Sequence, residues 1–266
     1  ALHLGEGYMN EEILIQKGTI EELIDIVTAC YDDFIRNNSI YRFYENFSGY
    51  IKVFQQLNEA LKSKQNVAHH YDLKEDLYKL FLDKDMQYSC AYFHNENISL
   101  DQAQIDKKKH IINKLQIKEN MSVLDIGCGW GGTALEIAKQ TGAKVKGITL
   151  SENQFATASR RAQEEGISDK VSFQIQDYRD EKFKYDRIVS VGMFEHVGIK
   201  YFKPYLKKTY DLLKDNGVFL LHTIGQRGIP TATSPWIRKY IFPGGYIPSL
   251  SDIVIEAQKL NINITD

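Results

Sequence analysis

The segment Val123-Leu124-Asp125-Ile126-Gly127-Cys128-Gly129-Trp130-Gly131-Gly132 constrains this chain more than any other. Its apolar start reads as a buried strand, its glycines as a tight turn, and the residues after it as a helix over Thr133–Gln140. Glycines let the backbone approach a ligand, and the helix start offers N–H groups with no partner inside the helix. The spacing also satisfies GxGxxG, so a dinucleotide fold competes. Two features weigh against it. Asp125 stands just before the first glycine pair, giving the DxGxGxG form used by S-adenosylmethionine binders. The acid expected roughly 20 residues further on, to hold a ribose, is missing, because that strand ends Ile148-Thr149-Leu150. Asp125, Gly127, Cys128, Gly129, Trp130 and Gly131 are therefore candidate cofactor contacts. A glycine turn with no ligand is the plainer alternative.

From about residue 115 strands and helices alternate, which implies a parallel sheet wrapped by helices. Strands are expected at Ser122–Ile126, Lys144–Leu150, Val171–Gln176, Arg187–Val191 and Val218–Thr223. Helices are expected at Thr133–Gln140, Glu152–Glu165 and Lys200–Leu213, with Ser151 as the N-cap of the second. The fold class is α/β: a Rossmann-like, parallel-rich sheet of the class I S-adenosylmethionine-dependent methyltransferase type, with an N-terminal helical segment. Residues 1–65 form that segment and 66–266 the catalytic domain. Within the first, Ile20, Leu23, Ile24, Val27, Tyr31 and Phe34 make a helical stripe with Glu21, Glu22, Asp25 and Asp32 off it. The stripe predicts a helix packed on a core; a membrane-surface helix would carry lysines and arginines where these acids stand. A helix near Asp252–Lys259 is followed by Asn261–Asp266, which reads as the start of a strand. Ending there would leave a sheet edge unpaired, so the catalytic domain is expected to continue past this point.

Composition narrows the partners. With 33 basic and 35 acidic residues the net charge is −2, unlike the basic footprint of a nucleic-acid binder. No apolar run approaches the roughly 18 residues that span a bilayer, and no secretory leader pattern opens the chain; a cytoplasmic location is expected. Cys30, Cys90 and Cys128 form no CxxC pair and read as free thiols. No His or Cys cluster has metal-ligand spacing, so no metal is expected.

Several further segments narrow the reading. They are His70-Tyr71-Asp72-Leu73, Met86-Gln87-Tyr88-Ser89-Cys90-Ala91-Tyr92-Phe93, Gln176-Asp177-Tyr178-Arg179-Asp180, Val189 through Gly198, and Leu220-Leu221-His222-Thr223-Ile224-Gly225. With the glycine loop they resemble the cyclopropane fatty-acyl-phospholipid synthases and their mycolic-acid relatives. Leu4-Gly5-Glu6-Gly7-Tyr8-Met9 is similar to that family's linker after a small N-terminal lipid-binding domain. The resemblance implies that most of that domain, and a C-terminal tail bearing a tyrosine ligand and a cysteine, lie outside these residues. It implies S-adenosylmethionine contacts at Tyr88, Ser89, the glycine loop, Thr149, Leu150 and Gln154, with Tyr178 and Arg179 beside the adenine. It also implies a bicarbonate ion held through Cys90, Glu195, His222 and the backbone near Ile224. The implied substrate is an unsaturated phospholipid met peripherally at the inner face of the membrane. A homodimer is the assembly carried as an expectation.

The chemistry suits these residue types. An isolated alkene is a weak nucleophile, so proximity in a water-free pocket must supply much of the acceleration. Methyl transfer leaves a carbocation, and a base must then strip a proton for the ring to close. Plainer readings stand beside each residue: Cys90 as a buried small hydrophobe, Glu195 as a turn cap, His222 as a satisfied core histidine, His196 as a group orienting Glu195, and His69-His70 as a helix lead-in. Lys107-Lys108-Lys109 and Lys203, Lys207 and Lys208 fit either anionic headgroups or, preferably, solvated helix faces. Two other activities compete: N-methylation of a small amine, and a non-catalytic S-adenosylmethionine or lipid-binding module.

Overall fold

The computed structural model describes residues 2–37, 75–227, 233–242 and 245–266. The strand β1 (Ser122–Ile126) lies at the centre of a five-stranded parallel sheet. On one side it pairs with β2 (Lys144–Thr149), which pairs with β3 (Val171–Ile175); on the other it pairs with β4 (Tyr185–Val191), which pairs with β5 (Leu213–His222). The order β3-β2-β1-β4-β5 reverses between β1 and β4. In open α/β sheets ligands bind at that reversal, beyond the carboxyl ends of the strands.

Two-residue periodicity sorts the strand side chains onto two faces. Val123, Val145 and Val189 join one core with Ile111, Ile112, Leu135 and Ile137. Leu124, Ile126, Ile148 and Ile188 join the other. Asp125 shares the parity of Val123, so it points toward the face covered by α4 (Leu100–Leu115) and α5 (Gly132–Thr141). The next crossover is α6 (Glu152–Glu164), capped as its sequence predicts: the Ser151 hydroxyl accepts from the Gln154 amide. α7 (Phe202–Asp211) links β4 to β5 after two short 3-10 turns, Phe194–His196 and Ile199–Tyr201.

Three expectations are corrected. β5 begins at Leu213 rather than Val218, because Leu213 pairs with Tyr185 before a bulge containing Asn216 at φ 61° shifts the register to Val218–Arg187. Residues 261–266 form no strand; the chain turns at Asn261, φ 54°, after the C-terminal helix Leu250–Lys259 and pairs with no described strand. Earlier in the chain α1 (Leu2–Met9), α2 (Ile20–Asn37) and the short α3 (Glu75–Lys79) are helical. The apolar stripe of α2 is not packed on a core, however: Ile24 is 54% exposed, and Ile20 and Val27 are exposed as well. Periodicity sets which side chains share a face, but nothing among the described residues covers this one. The proposed boundary at 65/66 and the pairs His69-His70 and Tyr71-Asp72 lie outside the described residues. The Leu4–Met9 segment falls within α1, where Gly5 packs on Trp236 and the Glu6 carboxylate accepts from Lys239 Nζ (2.6 Å) and the Tyr240 hydroxyl (2.8 Å).

Candidate active site

The cleft opens at the carboxyl ends of β1, β2 and β4. Residues lining it include Tyr88, Ser89, Asp125, Gly127, Cys128, Gly129, Trp130, Thr149, Leu150, Gln154, Tyr178 and Arg179. These are all the candidate cofactor contacts except Gly131. That glycine caps α5 at φ 87°, and a Cβ there would meet Phe173 Cζ at 2.7 Å and Ala158 Cβ at 2.9 Å. It lets the helix pack against β3 and α6 rather than facing the cleft.

The loop is tied down by one carbonyl. The amides of Gly127 and Cys128 both donate to Ile148 O, at 2.9 and 3.1 Å, joining the glycine turn to the end of β2. Beside it Thr149 Oγ1 donates to Gln154 Oε1 at 2.7 Å. Asp177 holds Arg179 through two hydrogen bonds of 2.8 Å, from Nε and from Nη2, and the guanidinium lies over the Tyr178 ring at 5.4 Å. Burial pushes the Tyr178 hydroxyl up to about 12, so it remains a neutral donor. Trp130 packs on Tyr78 (5.0 Å between centroids), which meets Tyr88 edge-on at 5.4 Å. Burial also raises the Cys128 thiol well above its ordinary value, which leaves it a small hydrophobe.

Asp125 is the polar intrusion in this apolar floor. It is 2% exposed and its Oδ2 has no hydrogen-bond partner among the described residues. Burial pushes its carboxyl up to about 7, with the Lys107 charge pulling the other way. The folded protein therefore keeps a proton that the unfolded chain releases in the ordinary carboxylate range. Between that range and about pH 7 the native state binds more protons, so stability is fully present at the acid end and falls as pH rises. The slope from this group reaches about 1.4 kcal/mol per pH unit. Asp125→Asn should flatten the difference in urea midpoint between pH 5 and pH 7. Equal pH dependence in both proteins would mean that Asp125 is ionised throughout.

The four candidate catalytic positions lie outside the cleft lining. Glu195 is buried in the 3-10 turn after β4, and its Oε1 accepts the Ile224 amide at 2.6 Å. The amide expected to face an anion is thus engaged in fixing a carboxylate. Glu195 Oε2 and His222 Nδ1 are both buried without partners among the described residues. His222 ends β5 opposite Val191, and its carbonyl accepts the Gly192 amide at 3.0 Å. Burial lowers the His222 pKa, Lys107 lowers it further, and Glu195 opposes. Cys90 is exposed, contrary to the reading of it as a buried small hydrophobe. His196, expected to orient Glu195, lines the cleft itself and meets Phe242 edge-on at 5.8 Å.

The largest correction concerns Lys107 and Lys108, expected on a headgroup-facing or solvated surface. Both are 4% exposed, and only Lys109 of the three is at the surface. Lys107 Nζ donates to Ser89 Oγ at 2.7 Å, and Lys108 Nζ to Asp85 Oδ2 at 2.5 Å. Lys208 also turns inward, donating to Glu181 O at 2.6 Å. Gln87 and Asp177 are cleft residues that the sequence reading passed over, although both sit inside quoted segments. Gln87 docks the wall residues on the start of α5: Thr133 Oγ1 donates to its Oε1 at 3.3 Å, and a Cβ on Gly132 would collide with Asp85 and Gln87.

A family model described as mycolic acid cyclopropane synthetase matches residues 58–266, well over half the chain. The chain belongs to this family. Similarity extends to the cyclopropane-fatty-acyl-phospholipid synthase of Escherichia coli K12, 49% identical over 184 residues, or 69% of this chain and 47% of that protein. The chain thus spans about half the length of that relative. Among solved structures, the cyclopropane synthase MmaA2 from Mycobacterium tuberculosis superposes with a TM-score of 0.72 at 33% identity, over 79% of this chain and 77% of that one. The mycolic acid cyclopropane synthase CmaA1, complexed with SAH and CTAB, gives 0.70 at 32% identity over 76% of each. The class I methyltransferase fold expected from the strand–helix alternation is the fold these cyclopropane synthetases share.

Proposed function

We propose that this chain is the catalytic part of a cyclopropane-fatty-acyl-phospholipid synthase, which adds a carbon from S-adenosylmethionine across the cis double bond of an unsaturated phospholipid acyl chain. The observation that carries the reading is the pair of buried, unpartnered atoms Glu195 Oε2 and His222 Nδ1, at the carboxyl ends of adjacent strands and beside cleft residues Gly192, Met193 and His196. Buried polar atoms are rarely left without partners, so an orphaned pair marks a place for a ligand.

The residues fit both small molecules. Gly129, at φ 54°, has open space where a Cβ would stand, and Asp125 lines the cleft floor with a carboxyl oxygen that has no partner among the described residues. When bound there, S-adenosylmethionine supplies an electrophilic methyl group. A carboxylate acceptor and a neutral imidazole suit a small oxyanion that carries one proton. Bicarbonate, when bound, would supply a base to take up the proton released as the ring closes. Glu195 accepts and orients, with Ile224 fixing its other oxygen. His222 donates from a ring that burial keeps neutral. Trp130, Tyr88 and Tyr178 line the cleft, where an aromatic face turned to cationic charge would contribute about 0.5–2 kcal/mol.

The acyl chain is insoluble, so it must be met at a bilayer surface. Among the described residues no helix is long and apolar enough to cross a membrane. Leu77, Leu80 and Phe81 are exposed, and Phe81 meets Tyr88 of the cleft wall at 6.1 Å; they supply an apolar approach to the cleft.

Mass spectrometry of monounsaturated phospholipid vesicles incubated with the full-length protein and S-adenosylmethionine tests the proposal. The expected product gains one CH2 group and loses its alkene. Turnover confined to small amines would replace this reading with N-methylation.

A further inference from the structure

The extended segment that carries Tyr88 and Ser89 has no strand partner among the described residues, yet it forms a wall of the cleft. One face of α4 holds it. Gln104 Nε2 donates to the carbonyls of Ser89 (2.9 Å) and Gln87 (3.2 Å), and the carbonyl of Ala103 accepts the Tyr92 amide (3.2 Å). One turn on, Lys107 and Lys108 reach Ser89 and Asp85. The two lysines are not equivalent. Lys108 forms a close ion pair with Asp85, which also pairs with Arg161, and Arg161 donates to Trp130 O at 2.9 Å. That network ties α4, α6 and the glycine loop together. Lys107 is just as deeply buried, but its hydrogen bond goes to a hydroxyl rather than to a carboxylate. Burying an ammonium costs desolvation energy that a neutral hydroxyl offsets poorly. Leucine or methionine would fill this helix face more favourably, so the lysine answers to something other than packing.

We propose that Lys107 is a positioning residue for methyl-donor binding: its buried ammonium, anchored on the Ser89 hydroxyl, fixes the Tyr88–Ser89 wall of the cleft. The proposal rests on the reading of that cleft as the S-adenosylmethionine site. Burial lowers the Lys107 pKa to about 8, with Asp83, Asp85 and Cys90 favouring the charged form and Lys108 opposing it. Its charge in turn acts on Asp125 in the cleft floor and on His222 beyond it. Lys107 therefore couples the wall to the floor through one group that touches neither reactant.

The test compares wild type, Lys107→Met and Lys107→Gln in the full-length protein. S-adenosylmethionine and S-adenosylhomocysteine affinities are read by calorimetry, KM and kcat by turnover, and folding by thermal melts. Losing a charge-assisted hydrogen bond should raise Kd and KM for S-adenosylmethionine about tenfold or more, with kcat within about threefold and a melting temperature no lower than wild type. Lys107→Gln, smaller and polar, reads the same quantities if methionine does not pack. Wild-type affinity in a variant, or a loss confined to kcat, would overturn the proposal. A wild-type protein that binds neither nucleoside would instead overturn the reading of the cleft.

Discussion

Glu195→Gln should abolish ring formation, lowering the rate by about 10²–10⁴-fold, while leaving S-adenosylmethionine affinity within about threefold. The two effects separate because Glu195 is near the cleft but does not line it. Its main chain is fixed, since its carbonyl accepts the Tyr246 amide at 2.8 Å. Its side chain is fixed by the Ile224 amide on Oε1. Only Oε2 is left to act, and it is a buried acceptor with nothing to accept from. Glutamine has nearly the same shape but must place an NH2 group at one of these two positions. Facing Ile224 it sets donor against donor; facing the orphaned position it replaces an acceptor with a donor. Either way the geometry survives and the acceptor function does not. Ring formation at the wild-type rate would remove Glu195 from the chemistry. Parallel losses of rate and affinity would show instead that the turn had collapsed.

Gly127→Val should weaken S-adenosylmethionine binding by at least about 100-fold and lower the melting temperature by several degrees. Gly127 sits at φ 78°, where an L-residue costs about 1–2 kcal/mol and a β-branched one more. The added Cβ would lie 2.9 Å from Met193 Cβ and Cγ. Relief requires the turn to move away from β4, which stretches the two amides that share Ile148 O. Gly129 provides the contrast: it is also left-handed, but a Cβ there has nothing within 4 Å. Gly129→Ala should therefore cost the fold only about 1 kcal/mol. Calorimetry and melts on both variants check the pair; Gly127→Val binding as tightly as wild type would show that the turn is not the floor of the methyl-donor site.

What could be read in advance follows physical lines. β1 is continuous and apolar because both its faces are covered, so an acid inside it, Asp125, stands out. Ser151 caps α6 by a contact three residues long, which a linear sequence displays directly. Lys107 and Lys108 were missed for the opposite reason. Three consecutive lysines suggest a solvated patch, yet Gln104, Lys107, Lys108, Ile111, Ile112 and Leu115 occupy one helical stripe, and all are buried. The periodicity was present; residue type outweighed it. The pairing of Glu195 with Ile224 spans 29 residues and depends on where two strands end, which no local pattern encodes. The α2 stripe errs the other way, because amphipathicity states which face is apolar without supplying anything to cover it.

The shared space at Gly132 couples three positions of this chain. Asp85 and Gln87 fill the volume that a side chain at 132 would need, although more than forty positions of chain intervene. A side chain at 132 has to push both of those side-chain ends aside, drawing Asp85 from Lys108 and Arg161 and Gln87 from Thr133. Smaller residues at 85 and 87 remove that conflict, but they give up the same ties between the cleft wall and the helices behind it.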